Sequence, residues 1–215
     1  MSRYIKDLIA EGEGLRLDFK FCISDSRKIA RTLSAFANTE GGTLLIGVRD
    51  NGSIAGVRDD EEIYMIETGS RLFCKPEVPV TVRNHTIESK TILEVKVEKG
   101  SRRPYKAKSD DGRWISYSRQ NDQNIAANRV LLDLWRKEKT SRGVMVTFTE
   151  AENKLMDHLR NNENITFSAF RRMTGITTNR ARQILVNMIL FDILEMEISD
   201  KGVFYKLKGS DRVQE

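Results

Sequence analysis

The sequence predicts an α+β fold in two domains, and three observations carry that reading. Between Leu33 and Val57 an apolar helix end, a diglycine, an apolar β-branched run and an Asp-Asn-Gly turn follow one another within 25 residues. From about Val146 the pattern changes to three amphipathic helical segments followed by two alternating strands. Between the two patterns, Arg136 to Val144 is charged and nearly free of apolar groups, the composition of a linker. The expected organisation is therefore a mixed domain over 1–137, a linker over 138–146, a helical domain with a terminal hairpin over 147–208, and a tail over 209–215.

In the first domain, Leu15 to Phe19 alternates as a strand and Arg27 to Asn38 has helical spacing through Ile29, Leu33 and Phe36. Gly41-Gly42 permits a reversal because glycine reaches positive φ without a Cβ clash. Thr43 to Val48 is long enough for a buried strand and too short for a helix. Asp50-Asn51-Gly52 then signals a type I′ hairpin. Asp59 to Phe73 suits a helix whose acidic start complements the macrodipole. Val78 to Val82, Thr91 to Val97 and Trp114 to Tyr117 read as strands, and Asn124 to Trp135 as a helix. Trp114 and Tyr117 read as core at this spacing, with stacking on unpaired bases as the alternative.

In the second domain, Thr149 and Glu152 have the spacing of a capping box. The helix they open carries Leu155, Met156 and Leu159. A second helix bears Phe167, Phe170 and Met173, and Thr174-Gly175-Ile176 makes a tight turn. A third helix, capped by Thr177 or Thr178, runs through Ala181, Ile184, Leu185, Met188 and Ile189. Strands Leu194 to Ile198 and Val203 to Leu207 complete the order of a winged helix-turn-helix.

Composition narrows the function classes. No apolar run approaches the ~20 residues of a membrane helix, and the first residues lack a signal-peptide core. Cys22 and Cys74 are too few for a disulfide framework and read as small hydrophobes in a reducing cytoplasm. His85 and His158 stand apart from any ligand-spaced partner, and no phosphate-loop pattern occurs. The net charge of +5 resides in residues 1–147. Within it Lys96, Lys99, Arg102, Arg103, Lys106, Lys108 and Arg113 form the most concentrated basic run, an electrostatic footprint for a polyanion, and Arg119 is expected to join it as a nucleic-acid contact. In a helix-turn-helix the start of the third helix faces the major groove. Here it would present Thr178, Asn179, Arg180, Arg182 and Gln183, side chains that bond base edges and phosphates, with Lys201 on the wing.

Several segments resemble one family. Gly12-Glu13 with Leu17-Asp18-Phe19-Lys20, the run Ser34 to Val48, then Asp50, Gly52 and Gly56-Val57 are similar to the signature of the Schlafen-type AlbA domain. Pro104-Tyr105 and Tyr117-Ser118-Arg119 stand where that family has its late elements, although Gln120 replaces a glycine and Asp18 a glutamate. The resemblance implies a DNA-binding transcriptional regulator, since bacterial members often carry a following winged helix. It implies DNA as partner, RNA as the alternative, and no resident cofactor. A homodimer is expected because regulators that read two-fold sites are commonly dimeric. Some members carry an ATP-binding label, and some animal relatives cut RNA with three carboxylates and a metal. Carried onto this chain, those carboxylates are Glu13, Asp18 and Asp50, which would hold Mg²⁺ or Mn²⁺ in the ribonuclease alternative.

Overall fold

The computed structural model describes residues 2–57, 61–138, 148–199 and 201–209. Residues 139–146 of the expected linker, the tail beyond 209 and the acidic helix start at Asp59 and Asp60 lie outside them. The chain divides into two compact units, Met1–Ala127 and Asn128–Glu215.

The first unit runs α1 (Ser2–Glu11), β1 (Leu17–Lys20), α2 (Ser26–Asn38), β2 (Gly42–Ile46), α3 (Glu61–Leu72), β3 (Cys74–Lys75), β4 (Val80–Ile87), β5 (Lys90–Val97), β6 (Lys106–Lys108), β7 (Trp114–Ile115), β8 (Tyr117–Gln120) and β9 (Gln123–Ala126). Its main sheet has the order β1-β2-β5-β4, with β1 and β2 parallel and the other neighbours antiparallel. Alternation splits the strands between two cores. Leu44, Ile46, Leu93 and Val95 face α2 and α3, whereas Leu17, Phe19, Leu45 and Ile92 pack with Ile5 of α1. Burying each such side chain stabilises by about 1.5–3 kcal/mol.

Helix α2 is the spine of the unit. Asp25 caps it by accepting from Arg27 N–H, and Ile29, Leu33 and Phe36 are buried along one side. The diglycine that follows is required twice over. Gly41 has φ +73°, and a Cβ there would lie 2.7 Å from the Val97 carbonyl. A Cβ on Gly42 would lie 2.5 Å from the Phe36 ring.

The turns differ from expectation. Gly52 N–H donates to Arg49 C=O around Asp50 and Asn51, and of these only Gly52 has positive φ, so the loop is a β-turn closed by a left-handed glycine rather than type I′. Two adjacent positive-φ residues occur instead at Glu88 and Ser89, between β4 and β5. Eight paired residues on each strand outweigh the local cost of that turn. Strand β4 is accordingly longer than the sequence suggests, and α1 was not anticipated.

Helix α1 closes over a polar cluster on its face of the sheet. Tyr4 Oη donates to Glu94 Oε1 at 2.8 Å, His85 Nε2 lies 2.8 Å from Glu94 Oε2, and Lys96 Nζ lies 3.4 Å from Glu94 Oε1. Arg83 stands opposite Glu94 in the ladder. His85 is therefore not isolated, because hairpin pairing brings it to a carboxylate nine residues away. Burial alone would raise the Glu94 carboxyl, yet His85, Tyr4 and Lys96 hold it below the usual range. A depressed carboxyl stabilises the fold above its unfolded pKa, and that contribution is lost as pH falls through the folded value. The stability advantage of the native protein over Glu94→Gln should therefore be larger at about pH 5.5 than at about pH 2.5 in urea titrations. An equal advantage at both would contradict this account.

The second unit runs α4 (Arg129–Lys137), α5 (Glu150–Asn161), β10 (Ile165–Thr166), α6 (Phe167–Thr174), α7 (Thr178–Leu190), β11 (Leu194–Ser199) and β12 (Gly202–Leu207), with a sheet of order β10-β12-β11. Thr149 and Glu152 form the expected capping box, Thr166 and Thr177 cap α6 and α7, and Gly175 ends α6 in the left-handed region. Leu155, Phe170, Leu185 and Tyr205 are buried in one core. The segment read as a helix from Asn124 is divided: β9 ends at Ala126, and α4 starts only after the Asn128 cap. Helix α4 lies in the second unit rather than the first, because Val130 joins its core and Asp133 and Lys137 bond α7. Among the described residues, no helix is long and apolar enough to cross a membrane.

Candidate nucleic-acid interface

Strands β3, β6 and β7 form a small antiparallel sheet in which Cys74 pairs with Ala107, Lys75 with Lys106, Ala107 with Ile115 and Lys108 with Trp114. Side chains alternate along a strand and directly paired residues share a face. Cys74 and Ala107 are buried, so Lys75, Lys106, Lys108 and Trp114 occupy the outer face. Trp114 is 39% exposed. None of the three lysines pairs with a carboxylate among the described residues. Like charges placed opposite each other destabilise a sheet, and an anion lying on the face removes that cost. The arrangement offers a phosphodiester strand both counter-charge and an aromatic surface.

The rest of the basic run has other roles. Lys99 pairs with Glu40 at 2.9 Å and holds that carboxyl below its usual range. Arg113 pairs with Asp111, and Arg103 donates to the Asn38 carbonyl at 3.4 Å. Arg102 is exposed at the edge of the run. Arg119 cannot contact a ligand: it is 3% exposed, and its guanidinium bonds Asp18 at 2.9 Å, the Leu17 and Gly14 carbonyls, and Asn124. Its assignment as a nucleic-acid contact is corrected to that of a buried tie between β8 and β1.

Two of the three expected carboxylates are neighbours. Glu13 accepts from Phe19 N–H at 2.7 Å and lies beside Asp18, with Lys20 bridging at 4.0 and 3.0 Å. Burial raises the Glu13 carboxyl, the Phe19 N–H opposes this and neighbouring Asp18 adds to it. Asp18 pairs in register with Leu44, whereas Asp50 sits six residues beyond Leu44 on an exposed turn. Among the described residues no three His, Cys, Asp or Glu side chains are placed to share a metal ion. Asp18 is committed to Arg119 and Lys20.

On α7, Thr178, Asn179 and Gln183 are exposed, as is Lys201 beyond β11. Arg180 instead pairs with buried Glu152 at 3.1 Å, and Arg182 Nε with Asp133 of α4 at 2.5 Å. Val186 is 1% exposed and lines, with Asp133 and Lys137, the seam between α4 and α7. The two arginines chosen from the sequence are thus held by acids that sequence spacing does not bring near.

The sequence profile of the Schlafen AlbA_2 family matches residues 13–128, more than half of the chain. The chain belongs to the Schlafen AlbA_2 family. AlbA_2 domains are associated with nucleic-acid binding. The AlbA_2 match includes the lysine face and ends at the cap of α4. Solved structures similar to this chain include the DIP2311 protein of Corynebacterium diphtheriae (TM-score 0.47, 15% identity), over 65% of this chain and 33% of that one. Another is the N-terminal domain of a Nitrosomonas europaea protein described as related to the ATP-dependent DNA helicase RecG (TM-score 0.42, 23% identity), over 58% of this chain and 92% of that domain. This AlbA_2 chain thus spans a third of the Corynebacterium protein's length.

Sequence reading missed Lys75, which strand pairing brings beside Lys106 from 31 positions away, and no local signal marks it. It placed Trp114 in the core; Tyr117 is buried but Trp114 is not, because Ile115 takes the inward position of β7.

Proposed function

We propose that this protein binds nucleic acid through the outer face of β3, β6 and β7, unpaired bases stacking on Trp114 while Lys75, Lys106 and Lys108 neutralise phosphates. The observation that carries this reading is a set of three lysines on one sheet face, without acid partners among the described residues, beside an exposed indole. Stacking on an aromatic ring is worth about 1–3 kcal/mol per base and tolerates any sequence. Tryptophan fluorescence tests it. Titrating a single-stranded oligonucleotide should quench Trp114, and Trp114→Phe should abolish the change while leaving the signal of buried Trp135. Quenching that persists in Trp114→Phe would place the strand elsewhere.

The second unit supports a finer reading, a winged helix-turn-helix and hence a DNA-binding transcriptional regulator. The order α5, α6, α7, β11, β12 and the exposure of Thr178, Asn179, Gln183 and Lys201 favour it. In this reading Asn179 and Gln183 meet base edges, whereas Arg180 and Arg182 orient α7 through Glu152 and Asp133. Cytoplasmic action as a homodimer on a two-fold site belongs to the same proposal.

A further inference from the structure

A second feature of the first unit lies where the parallel strands end. Phe21 and Cys22 follow β1 directly, Arg49 follows β2, and together with Glu62 of α3 they line a cleft of about 410 Å³. Ligand sites of α/β sheets gather at the carboxyl ends of parallel strands, and their volumes run from about 300 to 1,000 Å³.

Three side chains define what the cleft can hold. Glu62 is 8% exposed, yet among the described residues its Oε2 has no hydrogen-bond partner. A buried carboxylate oxygen without a donor is costly, and its position in the first turn of α3 tempers the charge without supplying that donor. Phe21 is 45% exposed and presents its ring at the mouth. The Arg49 guanidinium lies over one face of that ring, 4.8 Å from its centre, and pairs with no carboxylate among the described residues. A cation is disfavoured by Arg49, and a single carboxylate is a poor metal site. The cleft asks for a flat π-system with an N–H edge and an anionic tail.

The geometry points to a binding site for one unpaired nucleobase carrying its phosphate. The base stacks on the face of Phe21 opposite Arg49, its N–H edge donates to the Glu62 carboxylate as that side chain turns outward from its buried position, and the phosphate meets Arg49. Guanine suits the carboxylate best, because N1–H and the 2-amino group lie on one edge. Uracil suits it least, because its N3–H is flanked by two repelling carbonyls. The site is separate from the Gly41-Gly42 turn and does not rest on the lysine face. A free mononucleotide and a nucleotide within a single strand present the same chemistry.

Cys22 reports on the cleft directly. Its thiol is exposed at the lining, whereas Cys74 is buried and burial pushes its thiol up to about 12. The test follows alkylation of the full chain by iodoacetamide. Guanosine 5′-monophosphate, or a thymine oligonucleotide with one central guanine, should slow modification of Cys22; whichever does so identifies the source. Phe21→Ala, an exposed substitution, should weaken the protection about ten-fold, and Glu62→Gln should remove the preference for guanosine over uridine monophosphate. Protection should persist in a Lys75, Lys106, Lys108→Ala variant, which separates this site from the lysine face. Absence of protection by both guanine probes would overturn the proposal. So would equal protection by ribose 5-phosphate, or undiminished protection in Phe21→Ala.

Discussion

Asn38→Ala is expected to lower the stability of the first unit by roughly 3–6 kcal/mol, since each buried backbone group left unpaired costs about 1–3 kcal/mol. Asn38 is 1% exposed at the end of α2. Its Nδ2 donates to the carbonyls of Tyr105 and Tyr117, both at 2.8 Å, and its Oδ1 accepts from Tyr105 N–H at 2.7 Å. One side chain thus fastens α2 to the segment leading into β6 and to β8. Beside it, Thr39 Oγ1 accepts from Arg119 N–H at 2.8 Å, so the same corner positions the Arg119–Asp18 tie. The expected loss is a large part of the ~5–15 kcal/mol that holds a domain folded. With a slope of about 2 kcal/mol per molar urea, the midpoint should fall by roughly 2 M. A shift equivalent to less than ~1 kcal/mol would mean that the three backbone groups find other partners.

Much of the fold was legible because local and tertiary preferences agree. Helix α2 has a cap, an apolar stripe and a stop in sequence, and β2 is too apolar to lie anywhere but the core. The hairpin after β2 was misread because Asn-Gly statistics describe an isolated two-residue turn, whereas the structure closes a longer loop from Arg49 to Gly52. The β4–β5 turn was invisible for the converse reason: long-range pairing imposes positive φ on Glu88 and Ser89, residues that do not signal it. Charge was harder still. A run of Lys and Arg marks a basic segment, but which of its members reach solvent depends on strand alternation and on acids brought from elsewhere. Arg119 is consumed by Asp18, Arg182 by Asp133 and Arg180 by Glu152, none of them a sequence neighbour. Lys106 and Lys108 survive as candidates because both lie on the outward phase of β6, with Ala107 turned inward.

The second large effect concerns those lysines. Each lysine that neutralises a phosphate of a single strand contributes about 0.7 to the slope of log affinity against log salt. Replacing Lys75, Lys106 and Lys108 together by alanine should therefore reduce the slope by about 2 and weaken binding roughly a hundred-fold at 0.1 M salt. The loss should be similar for different sequences, since phosphate contacts carry no base information. Folding should not suffer, because removal of three outward-facing like charges relieves repulsion within the small sheet. The most direct test is the affinity of the native protein and this triple variant for one single-stranded oligonucleotide, measured across a salt series. Affinity and about two units of slope should be lost together; an unchanged slope in a folded triple variant would contradict contact between these lysines and phosphates.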